Sequence, residues 1–172
     1  SFILRPGDKT ALIGQNDIQT TALIRALMGD IEYEGTVKWG VTTSQSYLPK
    51  DNSRDFAGGE SILDWLRQFA SKEEDDNTFL RGFLGRMLFS GDEVNKSVNV
   101  LSGGEKVRVM LSKLMLLKSN VLVLDDPTNH LDLESISSLN DGLKNFKESI
   151  IFASHDHEFI QTLANHIIVL SK

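Results

Sequence analysis

The sequence predicts an α/β domain on a mostly parallel central sheet, with a small antiparallel β part and an inserted helical block. Three observations predict it. Short apolar runs such as Val121-Leu122-Val123-Leu124 suit strands buried on both faces of a parallel sheet. These runs alternate with helical spacing, as in Val107, Met110, Leu111, Leu114 and Met115. Two acids, Asp125 and Asp126, directly follow one run, and open α/β sheets bind ligands at the carboxyl ends of their strands.

Taken in order, Phe2-Ile3-Leu4 reads as the tail of a strand and Pro6-Gly7-Asp8 as a turn. Thr10 to Ile13 is a buried strand ending at Gly14. A loop over Gly14 to Thr21 leads into a helix with Ala22, Leu23, Ala26 and Leu27 on one face, stopped by Gly29. Gly35 turns into a strand over Thr36 to Trp39. A second strand, Thr42 to Tyr47, is stopped by Pro49. Ser61 and Asp64 have capping-box spacing ahead of Ile62, Leu63, Leu66 and Phe69. The acidic run Glu73 to Asp76 reads as a solvated loop, and Thr78 to Phe89 as a further helix. Trp39 and Trp65 read as packing residues. Ser102, with Glu105 three residues on, opens the helix whose face is named above. After Asp132 come a helix (Leu133 to Phe146), a strand (Ser149 to Ala153), a helix and a strand (Ile167 to Leu170).

Bulk properties narrow the function. At 172 residues the chain is expected to form one domain able to bury its own core. A hydrophobic content of 40% and a charged content of 24% are ordinary for globular proteins. No apolar run approaches the ~18 residues of a membrane span, and no cationic leader precedes an apolar stretch. The absence of cysteine excludes disulfides and thiol catalysis and agrees with a cytoplasmic location. A net charge of −6 argues against the chain itself being a general nucleic-acid binder.

The chemistry gathers in Val100 to Asp132. Two glycines after the Ser102 cap let backbone approach a ligand, and N–H groups at a helix start form an anion site. Paired acids at a strand end suit Mg²⁺ and an oriented water. Here Leu101-Ser102-Gly103-Gly104-Glu105 resembles the signature motif of ABC-type ATPases. Leu124-Asp125-Asp126-Pro127-Thr128-Asn129-His130-Leu131-Asp132 resembles their Walker B and D-loop in the wording of the ABC-F branch. The resemblance covers essentially the whole chain and is greatest to the second nucleotide-binding domain of ABC-F proteins, soluble tandem ATPases associated with translation. It implies a P-loop NTPase of ABC type, spanning 1–172 with a helical subdomain at about 60–100, and using ATP and Mg²⁺. The family's adenine-stacking aromatic lies upstream of the Pro6 turn, so the chain is expected to be an N-terminally truncated fragment.

The phosphate loop departs from the family pattern. In that pattern the aligned stretch reads Gly-x-Asn-Gly-x-Gly-Lys-Ser/Thr-Thr; here it is Gly14-Gln15-Asn16-Asp17-Ile18-Gln19-Thr20-Thr21-Ala22. Two glycines have become Asp17 and Gln19, and the lysine has become Thr20. Gly14, Asn16 and the implied Mg²⁺ ligand Thr21 remain. Glycines let N–H groups curl round phosphates and the lysine neutralises them. Local charge therefore moves by two units in the unfavourable direction. Each unit is worth up to roughly 4 kcal/mol at ~4 Å and an effective dielectric of ~20, before screening. Lys50 replaces a glutamine that touches Mg²⁺ and the attacking water, and as a cation it can return part of the missing positive charge. Asp126 stands for the water-activating glutamate, one methylene short. Asp125 remains the Mg²⁺-linked acid, and His155 matches the switch histidine that contacts the γ-phosphate. His157 and His166 carry no functional signal.

In this family two nucleotide domains face each other head to tail, with ATP between one P-loop and the other signature. The resemblance implies that Ser102, Gly103 and Gly104, with Glu105, complete a partner's site. That partner is a second cassette, in the same polypeptide or as a homodimer of the fragment. The chain's own loop is expected to bind nucleotide weakly, and closure to gate ribosome or RNA binding by the longer protein. The alternatives are a catalytically dead regulatory half and a transporter ATPase; the Pro-Thr-Asn-His-Leu-Asp wording favours ABC-F over the transporter, and no membrane contact is expected.

Overall fold

The computed structural model describes residues 1–171, with residue 53 described by its backbone; Lys172, the last residue of the expected domain, lies outside the described residues. The chain divides into two compact units, one of Ser1–Lys50, Ser119–Asn129 and Lys147–Lys172, the other of Asp51–Lys118 and His130–Phe146.

The first unit is a five-stranded sheet. Its strands are β1 (Lys9–Ile13), β2 (Gln45–Leu48), β3 (Val121–Asp125), β4 (Ser149–Ala153) and β5 (His166–Val169), ordered β2-β3-β4-β1-β5. Every pairing is parallel. The run that predicted a doubly covered strand is β3, buried at every residue between β2 and β4. Alternation splits its side chains between the two faces. Val121 and Val123 join Leu12, Ile151, Ala153 and Ile24 in one cluster; Ile24 belongs to helix α1 (Asp17–Leu27). On β4, Phe152 stands edge-on to Phe159 at 5.5 Å, anchoring helix α6 (His157–Leu163). Helix α1 ends at Met28, and Gly29 follows with φ +77°, the left-handed stop its position predicts.

The expected antiparallel β part is corrected. Thr36 to Trp39 forms no strand, Phe2 to Leu4 forms none, and β2 begins at Gln45 rather than Thr42. Among the described residues the only antiparallel pairing is a single bridge, Ser61 to Ser97, in the second unit. The cause is local. Gly35 takes φ +115°. The Thr43 N–H and hydroxyl both donate to the Gly40 carbonyl, closing a turn. Trp39 uses its indole N–H on the Leu27 carbonyl at 3.2 Å and packs on the sheet cluster instead of joining a ladder.

The second unit is helical: α2 (Ile62–Arg67), α3 (Asn77–Arg86), α4 (Gly103–Leu116) and α5 (Leu133–Lys144). Ser61 caps α2 by accepting from the Asp64 N–H at 3.2 Å, but Asp64 does not return a bond; its carboxylate faces Arg67 at 3.5 Å. Trp65 is a core residue here, stacked on Phe56 and donating to the Asp55 carbonyl at 2.8 Å. At α4 the capping box is complete. Ser102 Oγ accepts from the Glu105 N–H at 3.2 Å, and Glu105 accepts from the Ser102 N–H at 3.3 Å.

Candidate functional site

Four neighbouring strands bring their carboxyl ends together in the sheet unit. β1 runs into Gly14 to Thr21, β2 into Lys50, β3 into Asp125 and Asp126, and β4 into Ser154 and His155. Parallel pairing puts all these ends on one side, so residues as far apart as Asp17 and His155 meet. A cavity of about 180 Å³ opens there, lined among others by Gly14, Asn16, Asp17, Thr20, Lys50, Asp126 and His155.

The loop before α1 satisfies two of its own backbone donors. Asn16 is the N-cap and accepts from the Gln19 N–H at 3.0 Å. Gln19 Oε1 accepts from the Gln15 N–H at 2.8 Å, so a backbone donor of the loop is taken by the side chain standing where a glycine was expected. Gly14 is confined by the same residue: a Cβ there would lie 3.0 Å from Gln19 Oε1 and 3.2 Å from Thr20 Cγ2. Thr20 is buried and donates to the Asp17 carbonyl at 3.2 Å.

Asp17 sits in the first turn of α1, where a carboxylate meets the positive end of the helix dipole. Its Oδ1 contacts His155 Nε2, and its Oδ2 lies 3.4 Å from Lys50 Nζ. Burial works against its charge, but His155 and Lys50 outweigh it and hold the carboxyl below its ordinary range. The two groups assigned by resemblance to a γ-phosphate or its missing lysine thus both face a carboxylate of the loop itself.

Asp125 and Asp126 are buried. Burial raises both carboxyls above their usual range; Thr21 and Lys50 oppose this at Asp125, and His155 and Lys50 at Asp126. Asp126 has φ +50°, a left-handed backbone that aspartate adopts more readily than most residues. Its N–H donates to the Ala153 carbonyl at 2.9 Å, tying β3 to β4. Neither Asp126 oxygen has a hydrogen bond, and His155 Nε2 stays 3.8 Å from Oδ2. Thr21 Oγ1 and Asp125 Oδ1 are likewise buried without hydrogen bonds, although the Thr21 hydroxyl is near enough to pull the Asp125 carboxyl down. An oxygen pair left open in this way fits Mg²⁺, which is bound by a few protein oxygens and substrate phosphates.

Not every residue expected at the site lines the cavity. Ile18 and Ala22 are exposed, and neither they, Gln19, Thr21 nor Asp125 is among its lining residues. Ser154 and His157 line it without having been singled out in the sequence. Ser154 shares a 2.6 Å bond with Thr128 and accepts from the Asp156 N–H at 3.1 Å, which shapes the turn carrying His155. Its one sequence signal is its place between the β4 run and His155. His166 pairs with Asp8 at 3.1 Å.

Ser102, Gly103, Gly104 and Glu105 belong to the helical unit. Ser102 and Gly103 are exposed at the start of α4, whereas Gly104 is buried against Ser135 of α5. Burial opposes the charge on Glu105, but Lys96 at 2.9 Å and the Ser102 donors pull its carboxyl below the usual range.

Comparison with known proteins gives a consistent picture. A family model described as ABC transporter matches residues 1–129. The chain is 57% identical over 173 residues to the uncharacterized ABC transporter ATP-binding protein YkpA of Bacillus subtilis, covering 99% of this chain and 32% of that protein. It is 41% identical to the probable ATP-binding protein YbiT of Escherichia coli O157:H7, again covering 99% of this chain and 32% of the relative. The chain thus spans about a third of the length of the relatives it matches. Its fold is shared with the archaeal ribosome recycling factor aABCE1, solved in complex with the ribosomal stalk protein aP1, at a TM-score of 0.78 and 21% identity over 98% of this chain and 33% of that one. Among the described residues no helix is long and apolar enough to cross a membrane.

Proposed function

The chain belongs to the ABC transporter family, and we propose that it is the ATP-binding cassette of a longer ABC-F protein whose own phosphate loop is impaired. The observation that carries this reading is the placement of Asp17. Its carboxylate occupies Lys50 and His155, the only cationic or ionisable donors among the cavity's lining besides His157. Phosphate must displace that carboxylate against like charge, without a loop lysine to compensate.

Bound ATP would supply the phosphoryl group, and Mg²⁺ would neutralise charge developing on it. Thr21 and Asp125 would hold the ion, and Asp126 would hold the attacking water. A carboxylate one methylene short of glutamate holds that water less well, and a misplacement of ~1 Å can lower a rate ~10²-fold. In the other unit, the start of α4 offers the N–H groups of Gly103 and Gly104, beside the Ser102 cap, to an anion. In the proposed assembly that anion is the nucleotide of a second cassette arranged head to tail, in the same polypeptide or in a homodimer. The two units then work as one cassette with a helical subdomain at about 60–100. Its closure gates binding of the longer protein to the ribosome, in the cytoplasm; the shared fold with a ribosome recycling factor supports this.

ATP turnover of the longer protein tests the division of labour. Ser102→Arg, which fills the start of α4, is expected to lower turnover at least ten-fold. Asp126→Asn is expected to change it less than two-fold. Unchanged turnover in Ser102→Arg overturns the cross-domain role, and a large loss in Asp126→Asn shows that this chain's own site is catalytic.

A further inference from the structure

The cavity holds a second arrangement, open to Asp126 and His155 when no nucleotide occupies it and built with Asp17. One carboxylate oxygen of Asp17, one of Asp126 and the imidazole nitrogen of His155 all lie within 4.8 Å of one another. From this geometry we propose that, in the nucleotide-free chain, Asp17, Asp126 and His155 bind a divalent transition-metal ion of the zinc or cobalt kind.

An independent observation points the same way. The Asp126 side chain is only 4% exposed, lines the cavity, and has neither oxygen hydrogen-bonded. A buried carboxylate without partners is costly, and such groups pair or coordinate a metal.

The donor types select the ion. One imidazole nitrogen with two carboxylate oxygens suits zinc, cobalt and related ions, whereas Mg²⁺ and Ca²⁺ prefer oxygen alone. Zinc bonds of roughly 2.0–2.2 Å place tetrahedral donors about 3.3 Å apart. His155 Nε2 and Asp126 Oδ2, at 3.8 Å, need close only slightly. Asp17 Oδ1 and His155 Nε2 touch directly and must part to admit the ion. Both side chains reach solvent, being 48% and 68% exposed. Lys50 lies on the other Asp17 oxygen and can stay there, orienting the carboxylate. Three protein donors leave the remaining position open to the cavity. This set is distinct from the Mg²⁺ pair Thr21 and Asp125, because it depends on Asp17, the residue that spoils the phosphate loop.

The test is a Co²⁺ titration of the 172-residue chain without nucleotide, in excess Mg²⁺, followed by visible absorption and by displacement with Zn²⁺. The expected result is one Co²⁺ per chain, with binding weakened at least ten-fold in Asp17→Asn, in Asp126→Asn and in His155→Gln. His166→Gln, which removes the exposed histidine paired with Asp8, should stay within two-fold. All four replacements are close in size, and circular dichroism reports whether each variant folds. The proposal is overturned if no stoichiometric Co²⁺ binds, if Mg²⁺ displaces it, if Asp17→Asn or His155→Gln binds as tightly as the parent, or if His166→Gln abolishes binding. No ATP enters this assay, so its failure leaves the nucleotide reading untouched.

Discussion

Asp17→Asn is the most direct probe of the proposal that the phosphate loop is impaired. The amide keeps the size of the side chain and its place in the first turn of α1, and removes only the charge. Two effects then favour nucleotide. Like-charge repulsion disappears, and Lys50 and His155 lose the partner that holds them. Asp17 is 48% exposed, so solvent screens the first effect substantially. With an effective dielectric of ~40 and a separation on the order of 5 Å, removing one unit of like charge is worth about 1.7 kcal/mol. That corresponds to roughly 20-fold in affinity. Calorimetric titration of ATP with Mg²⁺ at ~0.1 M salt, near a Debye length of ~10 Å, should show tightening of this order. The gain should shrink as salt rises. An affinity within two-fold of the parent, or a weaker one, refutes the argument that Asp17 bars the phosphate.

Two further outcomes follow from the helical unit. Gly104→Ala should lower stability by about 1–3 kcal/mol, because overpacking costs that much and the added Cβ would lie 2.5 Å from Ser135 Cβ; thermal melts should show the loss, and Ser135→Gly should recover most of it in a double-mutant cycle. A loss in Gly104→Ala that Ser135→Gly does not relieve counts against that contact. The Glu105 carboxyl has a folded pKa below its unfolded value, so its stabilisation is fully present above about pH 4.3 and is lost as pH falls through the folded value. Lys96→Met, which removes its cation, should flatten that acid limb in melts taken between pH 3 and 5; an unaltered limb excludes the pair as its source.

Most of the architecture was legible in the sequence because its signals are local. The apolar run at Val121, the helical spacing from Val107 to Met115, and the Ser102–Glu105 box each depend on neighbours within one or two turns, and each formed as read. The expected strand at Thr36 to Trp39 failed for the opposite reason. A strand needs a partner, and the choice of Trp39 to pack on the sheet cluster and bond Leu27 is a tertiary one. Ile18 and Ala22 fell within a motif by alignment, yet the turn of α1 exposes them.

The site divides along the same line. Residue types and motif order, read through the resemblance to ABC-type ATPases, led to the expectation that Gly14 to Thr21, Asp125, Asp126 and His155 form one phosphate-handling set, with a loop that lacks the family's lysine and two of its glycines. Only the tertiary structure decided what fills the gap. Four parallel strand ends bring Asp17 against His155 and Lys50, Gln19 closes on the Gln15 N–H, and Asp126 is left buried without a hydrogen bond. No periodicity encodes those contacts, because they join residues up to 138 positions apart and depend on how the sheet orders its strands.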